Sequence, residues 1–154
     1  MFKFLLIVAL VPAITLAGVS FRPCPNNAPL PKSLTVNDCI GNDCVLVAKK
    51  SLYSVGVGLI GRFNSKTATT KLIARSRNGG DLGFKTPRGL VNACNGSISG
   101  GCPIVAGKAF NYSVYIDVLD IPAINLPVEI EVNLTGDSGV PLTCARFNAR
   151  ISRR

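Results

Sequence analysis

The residues with the most chemistry to offer are six cysteines, Cys24, Cys39, Cys44, Cys94, Cys102 and Cys144. A cysteine can act as a nucleophile, hold a metal or close a disulfide, and compartment and pairing decide which. Lys3 gives the chain a positive start, and an apolar run over residues 4–16 leads to the small residue Ala17. That is the pattern of a secretory signal peptide over 1–17, leaving a mature domain over 18–154. Pro12 interrupts the run, and no later stretch approaches the ~20 apolar residues of a transmembrane helix. An even number of cysteines in a chain bound for an oxidising compartment reads as a disulfide framework, with no thiol left over for catalysis. Six thiols can pair in many ways. Cys39 and Cys44 are close in sequence, as are Cys94 and Cys102, and pairing each locally leaves Cys24 to join Cys144. Chain-entropy arithmetic assigns about 2–3 kcal/mol to each short loop and about 5 to the long one.

Other reactive groups are scarce. The sequence contains no histidine, which removes the commonest general base, the Ser-His-Asp arrangement and histidine-containing zinc sites. No metal or cofactor is expected. Glu129 and Glu131 are two residues apart and share one face of a strand, but they lie opposite a clean apolar stripe, which reads as a solvated outer face. Residues 56–61 match G-x-G-x-x-G, with Asp81 about twenty residues on, as a dinucleotide fingerprint requires. That fingerprint needs a helix to begin at the glycines. Here Arg62, Phe63 and Asn64 lead through a turn into another strand, so the motif reads as a strand with Val55, Val57 and Leu59 on one face and Gly56 and Gly58 on the other. Three sequons, at Asn95, Asn111 and Asn133, are candidate glycosylation sites, and Asn95 lies within the loop between Cys94 and Cys102. A binding protein is expected, not an enzyme.

The elements that must position these residues are strands. Val128, Ile130, Val132 and Leu134 alternate with Glu129, Glu131 and Asn133 without a break; Ala145, Phe147, Ala149 and Ile151 likewise alternate with Arg146, Asn148 and Arg150. Weaker alternation runs through 33–38, 44–48, 53–60, 67–75 and 110–119, separated by Gly, Pro, Asn and Asp clusters. About seven short strands in one domain of this size predict an all-β, immunoglobulin-like β-sandwich of two sheets. In a sandwich a ligand is held where the sheets part, so the inner apolar residues are the candidate site. The formal charge of +9 in the full chain falls to +8 if Lys3 leaves with the signal peptide. The sequence has no nucleic-acid motif and no dense basic run with interleaved aromatics, so nucleic acid is not the expected partner.

The ordered cysteines, with Cys102-Pro103-Ile104, the run Gly107-Lys108-Ala109-Phe110-Asn111-Tyr112, Leu52-Tyr53-Ser54-Val55 and Ile121-Pro122, resemble the MD-2-related lipid-recognition (ML) family. Within it the likeness is to the Niemann-Pick type C2 sterol-binding proteins and their arthropod relatives, and it covers nearly all of 18–154. The resemblance implies two antiparallel sheets, the pairing 24–144, 39–44 and 94–102, and an apolar inter-sheet cavity holding a sterol or fatty acyl chain for transfer to membranes or receptors. Phe84 then stands near the family's mouth aromatic, Val118 at a tunnel-lining valine, and Ile121 where an entrance tyrosine is often found. Val55, Val57, Tyr115 and Leu119 complete the expected lipid-binding set. The expected protein is a secreted, extracellular or endolysosomal monomer. Two other roles stay open beside lipid carriage: recognition of microbial amphiphiles such as lipopolysaccharide, aided by Lys71, Arg75 and Arg77 on one strand face, and carriage of semiochemicals.

Overall fold

Alternating apolar and polar residues favour extended chain, because a strand then buries one face and wets the other. The computed structural model of the chain describes residues 18–121 and 125–153; the expected signal peptide and Pro122 lie outside them. Among the described residues nine strands form: β1 (Phe21–Pro23), β2 (Ser33–Val36), β3 (Cys39–Ile40), β4 (Asp43–Val47), β5 (Leu52–Ile60), β6 (Thr69–Ser76), β7 (Ala109–Ile116), β8 (Pro127–Thr135) and β9 (Pro141–Ser152). A single helical turn, α1 (Arg88–Val91), follows β6.

The strands make two sheets. The larger runs β3-β4-β9-β8-β6, with β1 also against β9; the smaller runs β2-β5-β7. This is the expected immunoglobulin-like sandwich. One pairing departs from the antiparallel expectation: β4 lies parallel to β9, through Val45–Val47 and Arg150–Ser152. The edge of β9 opposite β8 is shared out along its length, with β1 taking 145–147 and β4 taking 150–152. All three disulfides pair as expected, Cys24–Cys144, Cys39–Cys44 and Cys94–Cys102. Cys39 and Cys44 are direct partners across the β3–β4 hairpin.

The stripe on β8 and the matching stripe on β9 are buried at every predicted position. They face Leu52, Leu59, Phe110, Val114 and Ile116 of the smaller sheet in one continuous core. Each fully buried side chain of this kind contributes about 1.5–3 kcal/mol relative to exposure, which makes the inter-sheet face the main source of stability.

β5 corrects one expectation. Val55 and Val57 do not share a face with Leu59: Val57 is 40% exposed and Leu59 only 1%. Up to Gly56, strict alternation sends Leu52 and Ser54 inward and Tyr53 and Val55 outward. The register with β7 then shifts between Gly56 and Leu59. Gly58 sits in this irregularity at φ +72°, a conformation that disfavours any side chain, and an added Cβ would lie 2.7 Å from the Lys32 side chain. The extra residue reverses the parity, so Leu59 turns into the core.

Candidate functional site

The space between the sheets narrows to an apolar slot of about 20 Å³ lined by Leu46, Leu52, Leu72, Val114, Ile130 and Phe147. Ser54 supplies a hydroxyl to this lining. A second void of about 20 Å³, around Pro31, Leu34, Leu59 and Tyr112, shares Ser54 and Val132 with the first. At the other end the slot meets a depression of about 440 Å³ formed by Ala48, Lys49, Leu82, Gly83, Phe84, Asp120 and Ile121. Phe84 and Ile121 line both the slot and this mouth.

Two segments make the lips. Beyond β6 the chain turns at residues 77–79 and runs back beside it: the Ser76 N–H donates to Gly80 O at 2.7 Å, and the Leu82 N–H donates to Ala74 O at 2.9 Å. The Leu72 N–H then donates to Thr86 Oγ1 at 2.9 Å. This return covers the edge of β6 and carries Leu82 and Phe84 to the mouth. On the opposite lip, the Lys49 N–H donates to Leu119 O at 3.0 Å and the Leu119 N–H to Lys50 O at 2.8 Å. Lys49 and Asp120 form an exposed ion pair on the rim, a geometry that contributes at most about 1 kcal/mol.

Three of the predicted lipid-binding residues converge here: Phe84, Leu119 and Ile121. Four do not point into the slot. Tyr115 and Val118 are 55% and 51% exposed, Val57 is exposed, and Val55 is half-buried on the outer face of the smaller sheet. The cause is parity. Phe110, Tyr112, Val114 and Ile116 alternate inward along β7, so Tyr115 must point out. Val118 precedes Leu119, which is the residue that the Lys50 carbonyl ties inward.

Sequence reasoning missed Ser54, Tyr112, Leu46 and Leu82. The signal for Tyr112 was present in the Phe110-to-Ile116 alternation, read as a strand without its facing being assigned. Its hydroxyl lies 2.7 Å from Thr70 Oγ1, a buried polar link between β7 and β6 and so between the two sheets. Burial pushes the Tyr112 phenol far above its ordinary value, against the lowering effect of the Thr70 hydrogen bond, so it stays neutral.

On the other side of the larger sheet, Glu129 and Glu131 are not solvated as expected. Glu131 is 5% exposed. Its Oε2 accepts from Arg75 Nη1 at 2.7 Å and from Arg146 Nε at 2.9 Å, while Glu129 accepts from Arg22. Burial pushes the Glu131 carboxyl up, but the Arg75 hydrogen bond and the charges of Arg75 and Arg146 outweigh it and hold the group below its ordinary 4.5. Arg75 is therefore committed to an acidic partner, and Arg77 lies beyond the end of β6, so the two do not form a free basic face with Lys71. The Cys24 and Cys144 sulfurs lie near the Glu131 carboxylate. Being joined to each other, they offer no thiolate to a metal. Of the sequons, Asn95 is exposed in its loop, and Asn111 is exposed with its Oδ1 accepting from the Gly58 N–H at 3.1 Å. Asn133 is half-buried on β8.

No helix among the described residues is long and apolar enough to cross a membrane. A comparison with curated proteins returns no match. The chain is similar in fold to the crystal structure of a Niemann-Pick type C2 protein from the Japanese carpenter ant, with a TM-score of 0.68 at 17% identity, over 86% of this chain and 99% of that one. The profile of the ML domain matches residues 18–151, almost the whole of the described sandwich. With that match running through both sheets and all six cysteines, the chain belongs to the ML-domain family.

Proposed function

We propose that this chain is a secreted lipid carrier, holding one sterol or fatty acyl chain between its sheets and releasing it to a membrane or receptor. The observation that carries the reading is the apolar slot that meets a mouth built from Leu82, Phe84 and Ile121. Membership of a lipid-recognition family supports it. The slot as it stands is far smaller than a lipid, so uptake requires the sheets to separate at the lips. The 81–86 return is tied to β6 and Leu119 to Lys49 and Lys50, and among the described residues no hydrogen bond joins one lip to the other. A lining with few polar groups selects by shape and length, and affinity follows the apolar area removed from water at about 25 cal/mol per Å².

Gently purified protein, extracted and examined by native mass spectrometry, should release a single apolar molecule per chain. Uptake of a fluorescent fatty acid or sterol gives the functional readout. Phe84→Glu, which puts a charge in the mouth at a half-buried position, should weaken uptake at least about tenfold. Val118→Glu, at an exposed position, should leave it unchanged. Equal uptake by wild type and Phe84→Glu would remove the mouth from the mechanism, and absence of any saturable uptake would remove the carrier reading itself.

A further inference from the structure

The outer face of the larger sheet, turned away from the slot, carries a groove of about 380 Å³. Five arginines line it: Arg22 from β1, Arg75 from β6, Arg77 from the turn that follows, and Arg146 and Arg150 from β9. Opposing them are Glu129 and Asp43 on the walls and Glu131 beneath. Five cations against three carboxylates leave two positive charges unbalanced.

The arrangement within the groove is uneven. Glu129 and Glu131 engage Arg22, Arg75 and Arg146, which fixes the guanidinium groups in place. Arg77 and Arg150 are exposed and make no ion pair among the described residues. A network serving stability alone needs neither this excess of cations nor a concave space in front of them. Guanidinium forks match the oxygens of phosphate and sulfate, and arginines held by carboxylates lose little freedom when they bind a second anion. Asn42 and Asn148 add side-chain amides to the lining, suited to hydroxyl groups. The groove is larger than a bare oxyanion fills.

We propose that this groove binds a phosphate or sulfate ester carried on a sugar-sized polar group, with Arg77 and Arg150 as its free cations and Arg75 and Arg146 pre-positioned by Glu131. The site is independent of the apolar slot and stands or falls apart from lipid carriage. The same ester could be soluble or could be the headgroup of a lipid, and the experiment separates the two.

Isotope-labelled protein at low ionic strength is titrated with glucose 6-phosphate, with glucose as control, and followed by amide chemical shifts. In parallel, co-sedimentation is measured with phosphatidylcholine vesicles with and without phosphatidylinositol 4-phosphate. Saturable shifts on β4, β6 and β9 with the ester alone are expected. The doubly substituted Arg77→Ala/Arg150→Ala protein, whose changes are exposed and should leave the melting temperature in place, should bind at least about tenfold more weakly. A response to both probes assigns the ester whatever its carrier, whereas variant-sensitive binding to the phosphoinositide vesicles alone assigns a lipid headgroup. Binding of either probe that is indifferent to the double substitution, or no saturable binding of both, overturns the proposal.

Discussion

The two faces of β6, β8 and β9 are made of the same strands, yet they are stabilised in different ways. Inward, Leu72, Ala74, the β8 stripe and Phe147 meet the smaller sheet as an apolar layer. Outward, at alternate positions, Arg75, Glu129, Glu131 and Arg146 form an ion network. The inner face gains from every apolar atom buried, in proportion to area. The outer face gains only while charges stay matched, because a buried carboxylate without its partners costs more than the pair contributes. The inner face should therefore respond chiefly to loss of apolar volume, and the outer face to loss of charge matching.

The largest effect is expected inside. Phe147, 2% exposed, lies at the centre of β9 and lines the slot. Phe147→Ala should lower unfolding stability by about 3–5 kcal/mol, measured by urea denaturation. If an added apolar ligand restores much of that loss, the new space has joined the slot; a loss under about 1 kcal/mol would mean that the inner layer is already loose.

Outside, Glu131→Gln should cost about 2–3 kcal/mol, less than a fully buried pair because both arginines are partly exposed. The pH dependence sharpens this prediction. The native carboxyl titrates below its ordinary 4.5, so its contribution is complete above that pH and disappears as pH falls through the depressed native value. Wild type should lose stability in that acidic window, and Glu131→Gln should lose less. Parallel acid profiles for the two proteins would show the network to be decorative.

The smallest effect is expected where the two sheets touch through a polar pair. Tyr112→Phe removes the hydrogen bond to Thr70 while keeping the ring, and should cost about 1 kcal/mol in the same assay. A much larger loss would mark this pair as the fixed hinge against which the lips open.

Much of this architecture was legible in the sequence because β8 and β9 alternate without interruption. Two faces, two sheets and the burial of the whole inner stripe follow from that period. The β5 facing was hidden because its parity turns on one glycine at positive φ, and a glycine inside a strand pattern does not announce which way the next residue will point. Tyr115 and Val118 have a different cause: the alternation along β7 is regular, but its facing turns on which strand it meets, and an error of one residue carries a side chain to the opposite surface. Glu131 was misread for another reason. Its cover, the Cys24 disulfide, and its partners Arg75 and Arg146 come from distant parts of the chain, so no local window could distinguish it from a wetted glutamate.

The placement of β9 also bears on the order in which the molecule can be assembled. β1, β4 and β8 all pair with this last strand. As the chain is synthesised, the early strands β1 and β4 therefore emerge without the neighbour that completes them, and must wait until residues 141–152 are made. The Cys24–Cys144 bridge, 120 residues in span, is subject to the same delay. Pairing between such distant segments slows folding. The larger sheet thus closes only after translation of β9, while the β5–β7 pairing and the Cys39–Cys44 and Cys94–Cys102 loops can form on the growing chain.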